Sequence, residues 1–235
     1  MSTIVTRAGK GSPLTNTELD ANFTNLNTDK FEKSGGAITN DVTINGVTAG
    51  RGAGSVSTNT AVGASALSSG SLSGGNNTGV GYLALQSNTT AANVTAIGRA
   101  ALNSNTTGDA NTGIGGNSLL NNTTGAYNSA VGQGALQSNT TANYNSAIGY
   151  QALYSNTSGG ANDAFGTWTL YSNTTGGANS AVGYKALYSN STGNYNVSIG
   201  QQSLYSNTTA SNNTAVGYQA GYSNTTGSVT AFGMA

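Results

Sequence analysis

Beyond residue 58 the apolar positions do not recur every 2 or 3.6 residues; they recur on a long, fixed period. Glycines following Val, Ile or Phe, itself mostly preceded by Ala, mark it, from Gly63 and Gly81 through Gly98, Gly149 and Gly183 to Gly217 and Gly233. Between Gly81 and Gly217 every step equals that from Gly81 to Gly98; the first step is longer by one and the last shorter by one. Four residues after the anchor stands Leu, from Leu67 to Leu204, with Gly221 alone departing. Seven residues after it stands Asn, from Asn88 to Asn224, followed by two hydroxyl residues such as Thr89-Thr90. A period this strict marks stacked supersecondary units.

A unit such as NSAVGYKALYSNSTGNY carries two Gly and several Asn, Ser and Thr, which disfavour helix interiors. It suits one coil of short strands separated by turns at Gly and Asn-Thr. The predicted fold is mainly β: a β-roll or β-solenoid of 17-residue coils, with equivalent residues ~4.8 Å apart and a length of roughly 50 Å. The Val/Ile before Gly and the Leu after it would point oppositely in one straight strand. If the chain bends at the glycine, both reach one core, which predicts two short strands per coil, through N-S-A-V and A-L-Y-S. Apolar residues then occupy one side of each coil, while S-N-T-T-G-x-x-N is almost wholly polar. That one-sided core favours a homotrimer sharing its apolar faces; the alternative is that Asn and Thr ladders complete a core within one chain.

The first part of the chain reads differently. Residues 14–33 pattern as a helix, with Thr15 and Glu18 forming a capping box and Gly35-Gly36 ending it. Leu19, Phe23 and Leu26 form a stripe narrow enough for a coiled-coil seam, with Phe31 less in phase. AITNDVTINGVT predicts two short strands about a turn at Asn45-Gly46. The predicted organisation is an arm over 1–13, a helix over 14–33, a short-strand connector over 34–54 and the repetitive shaft over 55–235.

Charge sharpens that division. Ten of the fourteen charged residues lie in 1–52, whereas all twelve Tyr lie beyond residue 80. Formal net charge is zero, so nothing favours nucleic-acid binding. His and Cys are absent, which excludes Cys/His zinc sites, disulfides and His- or Cys-based catalysis. No secretory signal opens the chain, and no run of eighteen apolar residues predicts membrane insertion. Asp109 and Asp163 occupy different repeat positions and read as solvated groups rather than a catalytic pair. The repeat lacks the recurring Asp of calcium-binding nonapeptides. Its N-x-[ST] triplets match the glycosylation pattern only because the repeat recurs. The reading is of a protein that is not an enzyme and takes no cofactor or metal.

Tyrosines form the candidate surface. Tyr154, Tyr171, Tyr188, Tyr205 and Tyr222 hold one repeat position; Tyr82, Tyr150, Tyr184 and Tyr218 hold the one after Gly; Tyr127, Tyr144 and Tyr195 hold a third. Such columns serve either as an aromatic strip for a receptor glycan or as cross-coil stacking that stiffens the shaft. Trp168 replaces a polar residue once.

The repeat N-(T/S)-A-(V/I)-G-Y-x-A-L-x-S-N-T-T-G, over roughly residues 59–233, resembles the repeats of bacteriophage tail-fibre proteins. It is also similar to the heads of trimeric autotransporter adhesins. TRAGKGSPLTNTELDANFTNLNTDK resembles the N-terminal segment of many phage fibres, and EKSGGAITNDVTINGV a connecting motif that follows it. The resemblance implies a virion structural protein: a homotrimer of parallel chains with a left-handed β-roll shaft. Its N-terminus would be held by other tail proteins, with Leu14, Leu19, Phe23 and Leu26 in attachment and trimerisation, and its shaft would present contacts to a host glycan or protein. A cell-surface adhesin head and an ice-binding solenoid are the alternatives. Ice binding asks for two outward Thr in register per coil, whereas the paired Thr here are adjacent and should diverge.

Overall fold

A computed structural model describes residues 42–44 and 47–233. The chain divides into two compact units, Met1–Val42 and Thr43–Ala235, and every described residue except Val42 belongs to the second. The arm over 1–13, the helix over 14–33 and the turn at Asn45-Gly46 lie outside the described residues.

The two connector strands are β1 (Val42–Ile44) and β2 (Val47–Gly50). A short 3-10 turn, Ala53–Ser55, precedes the repeat. Each coil then contributes one three-residue strand: β3 (Thr60–Val62), β4 (Thr78–Val80), β5 (Thr95–Ile97), β6 (Thr112–Ile114), β7 (Ser129–Val131), β8 (Ser146–Ile148), β9 (Asp163–Phe165), β10 (Ser180–Val182), β11 (Val197–Ile199), β12 (Thr214–Val216) and β13 (Thr230–Phe232). The thirteen strands form one sheet in chain order. From β3 to β13 neighbours pair in parallel with equivalent residues in register, as in Ser180↔Val197 and Val182↔Ile199. β2 meets β3 antiparallel, so the connector continues the sheet of the shaft. The structure is thus a β-solenoid of about ten coils, one for each repeat of the sequence, with no α-helix among the described residues.

Two expectations need correction. The stretch A-L-Y-S is not a second strand; the chain there runs through turns. Lys185 and Leu187, two and four residues after Gly183, both take positive φ, 54° each. Ala186 N–H donates to the Gly183 carbonyl and Asn190 N–H to that of Leu187, closing successive tight turns. The turns still tie coils together: Lys185 N–H donates to Thr167 O at 3.0 Å and Leu187 N–H to Ser203 O at 2.9 Å. A left-handed conformation costs a side-chain-bearing residue about 1–2 kcal/mol, and burying a Leu yields about 1.5–3 kcal/mol. Every Leu of the column is fully buried, so the conformation holds.

The second correction concerns the residue before the anchor. Val62, Ile97, Ile148, Val182 and Ile199 are 37–44% exposed and point away from the core. The inward strand residue is the one before them, as in Ala130, Ala147, Ala164 and Ala181, all at 0% exposure. Opposite, the residue three after the anchor is also small. Across the core the two columns adjust to each other. Where Ser118 stands in one, Gly113 stands in the other, and a Cβ added there would meet the Ser118 Oγ at 3.0 Å. In another coil Ser198 and Ser203 hydrogen-bond directly.

The polar half of each coil is closed by asparagine within the chain. One column is the Asn seven after the anchor; the other, not anticipated as core, stands four before it, as in Asn128, Asn145, Asn162 and Asn179. The first bonds along the stack, with Asn139 Nδ2 donating to Asn122 Oδ1 at 2.7 Å. In the second, Asn145 accepts from the Asn162 backbone N–H at 3.0 Å. Both columns converge on one carbonyl: Asn128 and Asn139 Nδ2 donate to Ala142 O at 2.8 and 3.1 Å. Buried amides satisfied in this way cost little, whereas unsatisfied ones cost about 1–3 kcal/mol each. The Asn ladders therefore complete the core that the apolar pattern leaves open.

The anchor glycines allow the stacking. Gly183 has φ 128°, and a Cβ on it would lie 2.8 Å from the Gly200 carbonyl oxygen. Only a residue without Cβ meets both demands.

Candidate functional site

Three features stand on the outside of the stack, two of them recurring from coil to coil. The first is the apolar column before each anchor, flanked on the same strand face by Thr, Ser, Asp163 or Val197 two residues earlier. Phe165 at 38% and Phe232 at 72% exposure are its largest members. Aliphatic and aromatic side chains in an unbroken line on a sheet face are an association surface in search of a cover.

The second feature is the tyrosine column. Tyr154, Tyr171, Tyr188, Tyr205 and Tyr222 stack face to face, with centroids 5.0–5.3 Å apart and planes within 7°. The spacing is close to one coil rise. The rings are half-buried against each other, and Gln137 Nε2 donates to the Tyr154 hydroxyl at 3.3 Å, extending the line by one coil. Burial first, and then the phenols of Tyr154, Tyr188 and Tyr150, raise the Tyr171 pKa above its ordinary value of 10.0. Tyr127 and Tyr144 stack likewise at 5.2 Å, but Tyr195 holds that position alone and is 67% exposed.

The third feature occurs once. Trp168 stands two residues after its anchor, where neighbouring coils carry Gln151, Lys185 and Gln202, and it takes φ 55°. Its ring lies between Tyr150 and Tyr184, 5.8 Å from each, with planes at 72° and 58°. Its indole N–H donates to Gln151 Oε1 at 2.8 Å. Lys185 Nζ sits 5.1 Å from the Trp168 ring centroid, 5.4 Å from Tyr184 and 5.3 Å from Tyr188.

Of the residues singled out from sequence, the structure thus unites Tyr154, Tyr171, Tyr188, Tyr205 and Tyr222 in one stack, with Trp168 joined to it through Lys185. Leu14, Leu19, Phe23 and Leu26 lie outside the described residues. Tyr150, Tyr184 and Lys185 were missed as a group, because no repeat position unites them. The signal that could have found them is that Trp168 and Lys185 share one column in consecutive coils.

The paired threonines diverge. Thr123 Oγ1 donates to Thr140 O at 3.0 Å and is half-buried, while Thr124 is exposed. Asp109 Oδ1 accepts from the Ala92 N–H at 2.7 Å, and Asp163 is exposed on its strand. Among the described residues no three His, Cys, Asp or Glu side chains group as metal ligands, and no helix is long and apolar enough to cross a membrane. Comparison with known protein families, with curated proteins and with solved structures finds no match to this chain.

Proposed function

We propose that this chain is the shaft of a bacteriophage tail fibre, a homotrimer held to the virion by its N-terminal segment and presenting a rigid surface for host attachment. The observation that carries the reading is the exposed apolar column. Each Val or Ile in it retains on the order of 50 Å² of accessible apolar surface, worth about 1 kcal/mol when covered. Eleven such rows, from Val62 to Phe232, supply enough to exceed the freedom lost when chains associate. The core inside each coil is already complete, so association needs only this outer face. The repeat and N-terminal resemblances support the placement on a phage tail.

Light scattering on the full chain tests the assembly, with a mass three times 23.2 kDa expected. Ile148→Asp with Val182→Asp changes only outward residues and should yield folded monomers. A wild-type monomer with unchanged β signature would sink the trimeric reading. Virion incorporation of the full chain, lost on deletion of residues 1–41, tests the attachment separately.

A further inference from the structure

The coil of Gly166 departs from the repeat in four places at once. Asp163 stands where other coils have Ser, Thr or Val197, and Phe165 where nearly all have Val or Ile. Trp168 and Thr169 replace the residues two and three after the anchor. Stacking does not ask for any of these, because the neighbouring coils stack without them. Thr169 Oγ1 donates to the Gly183 carbonyl at 2.7 Å, which satisfies the one polar group the change adds inside.

The rings gathered there also differ from the stacked column. Tyr154 to Tyr222 cover one another face to face. Tyr150, Trp168 and Tyr184 meet at 72° and 58°, so none of them is sandwiched between parallel neighbours, and Tyr150 and Tyr184 are 42% and 40% exposed. At their side stands Lys185, whose ammonium lies 5.1, 5.4 and 5.3 Å from the ring centroids of Trp168, Tyr184 and Tyr188. The only carboxylates among the described residues are Asp109 and Asp163, and neither forms an ion pair with it. With no carboxylate paired to it, the ammonium can turn an N–H donor not directed at a ring toward an external acceptor.

We propose that Tyr150, Trp168, Tyr184 and Lys185 bind an acidic saccharide, a pyranose carrying a carboxylate. The C–H face of the sugar packs on the tilted rings, and the carboxylate pairs with Lys185. Aromatic rings supply apolar area at little entropic cost, and the charge-assisted hydrogen bond supplies the choice of an acidic over a neutral ring. The inference names a ligand class for host attachment and rests on that part of the proposed function for its biological setting. It is independent of the number of chains.

Trp168 is the sole tryptophan, so its fluorescence reports the site directly. Full-length protein is titrated with trigalacturonic acid and with sialyllactose, and then with their neutral counterparts, the methyl-esterified trimer and lactose. A saturable change with at least one acid, weaker by at least about tenfold with its neutral partner, is expected. Lys185→Gln should remove that discrimination, and Trp168→Ala should abolish heat of binding by calorimetry. Tyr205→Leu, in the stacked column away from the platform, should leave affinity unchanged. No saturable response to either acid, equal affinity for acid and neutral ligand, or full affinity in Lys185→Gln would each overturn the proposal. Mass measured on the same samples separates failure of this site from failure of the trimeric reading, and thermal melts confirm that the variants are folded.

Discussion

The two walls of each coil reach the same end by different backbone chemistry. On the strand wall, three extended residues pair in register with the next coil, and Ser146 N–H donates to Asn162 O at 2.8 Å. On the turn wall, residues at positive φ alternate with others, yet Leu153 N–H still donates to Thr169 O at 3.0 Å. Both walls therefore satisfy their backbone from coil to coil. They differ in what holds them. The strand wall needs only small inward residues, whereas the turn wall needs the burial of Leu to offset its left-handed conformations. The lesson is that stacking, not strand propensity, is the organising demand.

Breaking the corner between the walls should have the largest effect. Gly183→Ala places a Cβ against the Gly200 carbonyl at an unfavourable φ, and a loss of about 3 kcal/mol or more is expected in denaturant unfolding. Unchanged stability would mean that the corner is looser than the geometry implies. Next comes the polar seam that joins the walls. Asn162→Leu keeps the branched shape, though with bulkier methyl groups, but takes the acceptor from the Asn179 backbone N–H, at 3.1 Å, and should cost about 2 kcal/mol. A neutral result would show that shape alone closes the coil.

The chain contains its own test of that seam. Val94 stands in the Asn column four before the anchor, and in its coil Asn88 Oδ1 is buried with no partner. Val94→Asn restores an acceptor for the Asn111 backbone N–H and should stabilise by about 1 kcal/mol, read as a rise in Tm. A fall would argue that the apolar filling there is preferred.

The smallest expected effect belongs to the outside of the turn wall. Unfolded tyrosine ionises near 10, while folded Tyr171 keeps its proton to higher pH. The folded state therefore binds more protons just above that value, and stability should fall as pH rises through it. A phenol titration by absorbance should show at least one late Tyr, and replacing Tyr188 by Leu should bring it earlier. Twelve tyrosines titrating together near 10 would remove the stacked column as the cause.

The period, the anchors and the Leu and Asn columns were legible because stacking forces equivalent positions to carry equivalent residues. Two details were not. Leu rarely takes positive φ, so A-L-Y-S reads as a strand; the trace of the truth lay in Gly134 and Gly221, which occupy two of the same positions at φ 68° and 62°. An apolar residue beside an anchor reads as core, yet this Val/Ile faces outward. Only the identity of its neighbour, always the small Ala, Gly or Ser, argues otherwise.

The sequence by itself determined the period of the repeat, its β character, the place of its turns and the absence of His and Cys chemistry, since composition and spacing act locally or repeat identically. Tertiary structure decided which apolar column faces inward, that asparagine amides close the core, and that Tyr150, Trp168, Tyr184 and Lys185 meet. Those outcomes depend on what lies across the coil or one coil away, nearly a full repeat apart along the chain, where no local preference can reach.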